Sequence, residues 1–434
     1  MLYYLMIINI VTFLVYGIDK AASKRGQSQT RLSYAERKQA RPKVKLKAKK
    51  NKWRISETTL LGLAVVGGSI GALFGMNVWH HKTMHKKFKY GLPFILLAQI
   101  ALTALLGLTS TIQAQQPRMR DMSFQTDSPM VHDPVMAKEG DTYYLYSTGI
   151  GIQRMTSKDR RTWTMSRQPV MTVIPGWTTD SVPGFGSHVW APDVIHWHNR
   201  WWMAYSCSTF GKNGSAIGLL SSRSLASNLW KDEGCIVISR AKRDNWNAID
   251  PNFVIDEATD TPWLVWGSFW DGIQLARLDS TMHLDNSRLT ARTIARRYDP
   301  NYKPTEPNPT SRYAGTNAIE APFIFKHGGY YYLFVSWDYC CRGAKSNYRV
   351  AVGRSKTIDG PYLDKDGRDM AVGGGTLVLE GDKKQWEAAG HCAAYTFDGE
   401  DIFICHGYSA TKGGTALLIQ RTISWTADGW PELK

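Results

Sequence analysis

"DTYYLYST" (141–148) is dense in aromatic and β-branched side chains and bounded by turn formers, the pattern of a buried strand. The same kind of segment returns as "NRWWMAYSCS" (199–208), "TPWLVWGSF" (261–269), "GYYYLFVSW" (329–337) and "DIFICHGYS" (401–409), at intervals of about 60 to 70 residues. A shorter strand precedes each copy: "VHDPVM", "VWAPDVI", "AIDPNFV", "AIEAPFI" and "GHCAAY". A third follows most copies and runs into a Gly/Asp turn, as in "IGLLSSRSLASNLW" and "VAVGRSKTIDGPY". No helical period of useful length competes with these strands. One unit alone cannot bury its apolar surface, whereas stacked units bury a shared core. Five copies of a three- or four-stranded unit predict an all-β fold, a five-bladed β-propeller over residues 131–434.

The repeat also locates the chemistry. In a propeller the first strand of each blade lines the central axis. These first strands carry Asp133, Asp193, Asp250, Glu320 and His391, spaced 57 to 71 residues apart, so four acids and a histidine are expected to converge. Proline beside four of them is, taken singly, an ordinary strand-end device. Recurrence in phase with the blades points to a site. Clustered carboxylates serve cation binding or glycoside hydrolysis, in which one carboxyl protonates the leaving oxygen and another activates water or attacks the sugar. A third carboxylate nearby disfavours a second negative charge and keeps the acid protonated.

The aromatic residues favour sugar. Trp190, Phe210, Trp246, Trp270 and Trp337 sit at or beside these strand ends, and aromatic faces stack on the apolar faces of sugar rings; core packing is the blander account of each. Trp270 in "GSFWDG" and Phe210 in "SCSTFGKNGS" precede glycine-rich turns, which suits a cleft mouth. Asn247 and Ser268 complete the candidate sugar-binding set with Trp190, Phe210 and Trp270.

At these residues a family resemblance appears. "MVHDPVMAKEGDTYYLYSTG", "HVWAPDVI", "STFGKNGSAIGLL", "WNAIDPNFV", "GSFWDGIQLARLD", "AIEAPFIFKHGGYYYLFVSWDYCCRG" and "AAGHCAAY" resemble the endo-acting arabinanases of glycoside hydrolase family 43, from about Val131 to Lys434. The resemblance implies an inverting enzyme that cleaves α-1,5-linked arabinan internally. It implies Asp133 as general base, Glu320 as general acid, Asp250 as the residue tuning that acid, and His391 beside a central ion, usually calcium (Ca2+). Asp193 is then structural, since the catalytic trio is complete without it. "GH" is followed here by "CAA" where those arabinanases typically read "NS", a departure beside the ion site. Other expectations are an exo-acting arabinofuranosidase or β-xylosidase of the same family, and a non-catalytic sugar-binding propeller, which the intact trio disfavours. The catalytic domain is expected to be monomeric.

Charge is segregated. Residues 1–120 hold 20 of the 53 Lys and Arg but three of the 37 acids, so a net charge of +16 belongs to a small segment. The large domain is near neutral and has no reason from charge to seek nucleic acid. Leu2–Gly17, Thr58–Val78 and Leu92–Leu108 are apolar stretches of about membrane-spanning length. A strongly basic loop, 18–56, separates the first two, as expected of a cytoplasmic loop. Gly67, Gly71 and Gly75 make a small-residue face for close helix packing, or mark a broken or re-entrant segment. His80, His81 and His85 read as interfacial residues rather than a metal site. Residues 1–106 resemble a bacterial membrane-protein family known as domain of unknown function 1294, through "LVYGIDK", "RISETTLLGLAVVGGSIGALFGM", "HHKT" and "KFKYGLPFILLAQIAL".

The expected organisation is a membrane segment over 1–108, a linker over 109–130 with a signal-peptidase site after Ala114, and the propeller. Arabinan is too large to enter a cell, so the catalytic domain is expected to be exported and membrane-associated. Three plain spans with the basic loop inside would instead leave it in the cytoplasm. Either a re-entrant second stretch or translation from Met84 avoids that outcome. All six cysteines follow residue 200 and match no zinc spacing. Buried thiols and disulfides are equally compatible with most of them, and the adjacent Cys340 and Cys341 allow a vicinal disulfide.

Overall fold

The computed structural model describes residues 2–37, 55–113, 124–285, 291–302, 304–309 and 311–434. The chain divides into two compact units, Met1–Asp121 and Met122–Lys434.

The larger unit is a five-bladed β-propeller with five separate antiparallel sheets. The second strands, Thr142–Ser147, Arg200–Cys207, Thr261–Trp266, Tyr330–Trp337 and Glu400–Ser409, are the aromatic segments that announced the fold. Tyr146, Tyr205, Trp266, Tyr332, Phe334 and Phe403 on them are fully buried, and Phe334 meets Phe403 edge-on between blades four and five. The repeat is therefore visible in sequence because the aromatic strand supplies the apolar filling between blades. The first strands are Val135–Glu139, His188–Trp197, Asn252–Asp256, Ile319–His327 and Trp386–Phe397.

The propeller begins earlier than the expected residue 131. Gln125–Thr126 pairs with Trp163–Met165 at the outer edge of blade one. Residues 129–131 lie along the third strand of blade five, through Leu418 N–H to Pro129 O (2.9 Å) and Val131 N–H to Ala416 O (3.3 Å). Hydrogen bonds thus join the first blade to the last and close the ring.

In the smaller unit, helices run over Leu2–Arg37, Glu57–Leu63, Ser69–Val78 and Lys86–Gln113. Tyr4–Ser23 and Glu57–Val78 are long and apolar enough to cross a membrane. The second stretch stays helical on both sides of a π-turn, Ala64–Gly68, where Gly67 takes φ 116°. A break in a helix frees backbone groups that need partners away from water. Asn9 supplies them: its Nδ2 donates to Gly67 O and its Oδ1 accepts from Gly71 N–H. A Cβ on Gly71 would lie 2.0 Å from Asn9 O, so the small-residue face is a close helix contact. His81 pairs with buried Asp19 at 2.7 Å instead of joining His80 and His85 in a metal cluster. The loop expected from residue 18 is helical as far as Arg37; residues 38–54 and the expected cleavage site after Ala114 lie outside the described residues.

Candidate active site

Each blade carries one non-glycine residue with left-handed backbone where its first strand meets the axis: Asp133 (φ 54°), Ala191 (41°), Asp250 (57°), Ala321 (52°) and His391 (52°). Proline follows the first four, and Cys392 follows the fifth. Strand register shifts at Trp190/Asp193, Glu320/Phe323 and Gly390/Ala393, so the turn is a β-bulge that re-aims side chains. Such backbone costs about 1–3 kcal/mol per residue and persists where the surroundings over-determine it.

The surroundings here are hydrogen bonds from the neighbouring blade. Thr148 Oγ1 accepts from Ala191 N–H (2.8 Å), Ser206 Oγ from Asp250 N–H (3.0 Å), Ser336 Oγ from His391 N–H (2.8 Å), and His406 Nδ1 from Asp133 N–H (3.1 Å). By strand register the matching position in blade three is Gly267, which has no side chain to offer. There the Asp250 carboxylate itself takes the next blade's Ala321 N–H through Oδ2 (3.1 Å).

This register corrects the expectation that five site residues lie in phase. Asp133, Asp250 and His391 share one position. Glu320 comes one residue before it, and Asp193 two residues after. Asp193 consequently faces the next blade, where its Oδ2 accepts from Phe253 N–H (2.7 Å) and Asn252 Nδ2 (3.2 Å). Its structural reading follows from that offset; burial pushes its carboxyl up to about 6.

Asp133, Asp250, Glu320 and His391 line one cavity of about 750 Å3 at the axis. The Asp133 carboxyl lies well below its usual range: burial opposes ionisation, but His391 Nδ1 at 3.0 Å from Oδ1 overrides it. Thr148 Oγ1 donates to the other oxygen, Oδ2. His391 is pushed up to about 9, since Asp133 outweighs its burial. Asp250 and Glu320 move the other way. Burial raises both, and the charge of Glu320 adds to the shift of Asp250. Glu320 is held at both oxygens, by Tyr348 Oη on Oε1 and Ser268 Oγ on Oε2, each at 2.7 Å, and these bonds partly offset its burial.

Trp190, Phe210, Asn247, Ser268 and Trp270 all line the cavity. Phe210 is 57% exposed, as a residue waiting for a ligand would be. Ser268 also donates its proton to Glu320, which leaves its oxygen only as an acceptor for a sugar. Trp246 and Trp337 are core residues instead: Trp246 packs edge-on against Trp266, and Trp337 is buried under the Arg297 guanidinium. Sequence reasoning missed Thr148, Ser336, His406 and Tyr348. The first three stand in phase at the ends of the aromatic strands, a polar recurrence as regular as that of the acids.

His391 is the residue that would hold calcium. Its Nδ1 is committed to Asp133, and among the described residues the one group of three close ligand atoms is His132, Asp133 and His406, without His391. A hard cation draws six to eight oxygens. The donor set therefore does not fit calcium as a protein-built shell, and no step below is routed through an ion. Cys340 and Cys341 form a disulfide in the cavity wall, while Cys207, Cys235, Cys392 and Cys405 are free thiols.

A carboxylate paired with a histidine and two buried, coupled carboxyls raised above their usual range, gathered under aromatic side chains at a propeller axis, define a glycoside hydrolase. The family model for glycosyl hydrolases family 43 matches residues 128–431, and the chain belongs to that family. A second model, for a protein of unknown function (DUF1294), matches residues 45–88, a narrower span than the 106 residues expected. The extracellular exo-α-(1→5)-L-arabinofuranosidase of Cellvibrio japonicus is 41% identical over 307 residues, 70% of this chain and 86% of that protein. The extracellular endo-α-(1→5)-L-arabinanase 1 of Bacillus subtilis is 38% identical over 351 residues, 80% of this chain and 99% of that protein. The crystal structure of an exo-1,5-α-L-arabinanase from a bovine ruminal metagenomic library is 49% identical with a TM-score of 0.65, covering 71% of this chain and 98% of its own.

Proposed function

We propose that the propeller hydrolyses internal α-1,5-arabinofuranosyl linkages of arabinan with inversion. The observation that carries the reading is the gathering of Asp133, Asp250 and Glu320 in one cavity at the axis, with His391 Nδ1 3.0 Å from Asp133 and Tyr348 and Ser268 each 2.7 Å from Glu320; the histidine favours an ionised Asp133, and burial favours a proton on the Glu320–Asp250 pair. Asp133 takes a proton from water as that water attacks the anomeric carbon. Glu320 delivers its proton to the departing glycosidic oxygen, which leaves as a hydroxyl. Asp250 fixes the backbone beside Glu320 through Ala321 N–H, and because the two buried carboxyls repel as anions, each favours the proton on the other.

Internal cleavage requires room on both sides of the acids. Asp133 on blade one and Glu320 on blade four divide the ring into two arcs, blades two and three on one side and blade five on the other. Both arcs contribute cavity lining, Trp190, Phe210 and Trp270 on the first and Tyr408 and Gly414–Ala416 on the second. Exo action is the second reading. It is favoured by Ser311 Oγ donating to Gly211 O (2.9 Å), which ties two rim loops together on the first arc, and by the similarity to two exo-acting proteins.

Incubation with debranched arabinan tests both. A ladder of oligosaccharides with inverted anomeric configuration supports the first reading, a single short product the second. No cleavage overturns both. We also propose export of the propeller, with the smaller unit retained in the membrane; two helices of sufficient length and apolarity support it.

A further inference from the structure

We infer that the Cys340–Cys341 disulfide is a substrate-contact surface, taking the apolar face of an arabinofuranosyl unit on the blade-five side of the cleft. The inference rests on the arabinan reading and extends it to a subsite.

The two arcs of the cleft are unequal in apolar surface. Trp190, Phe210 and Trp270 line the arc of blades two and three. Among the described residues, no tryptophan or phenylalanine lines the cavity from blade four or five. What blade four presents there is Tyr339 followed by the disulfide, carried by the loop 338–347 and leaning on blade five through Cys341 N–H to Tyr408 Oη (2.7 Å).

A disulfide has no hydrogen to donate and a polarisable surface, so it can meet C–H bonds as a thioether does. Two free thiols in its place would add donors and rotamers, and would unlock the turn. The loop is otherwise held at both ends. Asp338 pairs with Arg297 (3.1 Å) and Arg349 (2.7 Å), and Tyr339 N–H donates to Asn347 Oδ1 (3.1 Å). Opening the bond should therefore alter the surface more than the fold. Cys341 is exposed, as a contact surface must be before substrate arrives.

The test uses a reductant on the whole protein. The other described cysteines are free thiols, so tris(2-carboxyethyl)phosphine has this one bond to cleave. Complete reduction, verified by thiol count, is expected to raise KM for debranched arabinan about ten-fold, the scale of a lost apolar contact, and to leave kcat unchanged. Replacing Cys340 and Cys341 together by serine should reproduce the shift, remove sensitivity to reductant and keep the melting temperature. A KM unaffected by full reduction overturns the inference, and so does a fall in kcat at constant KM. Binding of arabinohexaose to Glu320→Gln, with and without reductant, reads the surface without turnover; equal affinities likewise overturn it. If the oxidised protein neither binds nor cleaves arabinan, it is the functional reading that has failed.

Discussion

Glu320 is clamped by two hydroxyl groups, which makes its replacement informative. Glu320→Gln keeps acceptors for Tyr348 and Ser268 in part while losing the proton to be delivered, so the fold should stand and arabinan hydrolysis should fall about 10²–10⁴-fold. Substrates whose leaving group needs no proton should suffer less; equal losses on both would remove Glu320 from the role of acid. Asp133 and Asp250 should then differ in the size of the loss. Asp133→Asn removes the group that takes the proton from water, so the rate should fall steeply, and because its charge also raises Glu320 the alkaline limb should move to lower pH as well. Asp250 raises the acid's affinity for its proton. Activity needs that proton and is lost as pH rises through the acid's pKa. Asp250→Asn lowers that pKa, and the alkaline limb of the profile should move to lower pH. An unmoved limb would deny Asp250 its tuning role. His391 offers calcium one ring nitrogen at most, so a bound ion is expected to exchange easily. Exhaustive chelation should barely alter the melting temperature; a large melting shift would mean a protein-built site.

Among the elements, the bulged first strands decide where side chains go. The aromatic second strands were legible because burial between blades demands one residue type in all five copies. The bulges were not, since spacings of 57 to 71 residues hide an offset of one or two positions. That is why Asp193 looked like a site residue and Glu320 looked in phase with Asp133. Thr148, Ser336 and His406 escaped notice because a polar residue at a strand end also reads as a simple terminator, and Tyr348 because it arrives from a loop. Their importance can be measured. Ser336→Ala leaves His391 N–H without its partner beside the cavity, which should destabilise the propeller by about 1–3 kcal/mol in chemical denaturation. It should also loosen the His391–Asp133 pair, so activity should fall as well. A variant with unchanged stability would show that water replaces the hydroxyl without loss.

On the scale of the whole molecule, a propeller and an apolar helical unit share one chain. Alkaline phosphatase fused after Asp121 in a bacterial host should be active if the propeller is exported. An inactive fusion would end that reading, and a soluble native product starting at Gln115 would mark release rather than anchoring. The ring itself carries a further lesson, written at Gly267. Four blades hold the bulge of the next with a Thr, Ser or His, and one does not. With a hydroxyl at that position of blade three, the Ala321 amide would have that partner and Asp250 would owe it nothing. A propeller of five identical units would thus have perfect symmetry and no reason to place a carboxylate next to the acid. The carboxylate sits beside the acid where the ring of Thr, Ser and His partners is broken, so the departure from the pattern, more than the pattern, gives a rotationally regular scaffold its one catalytic direction.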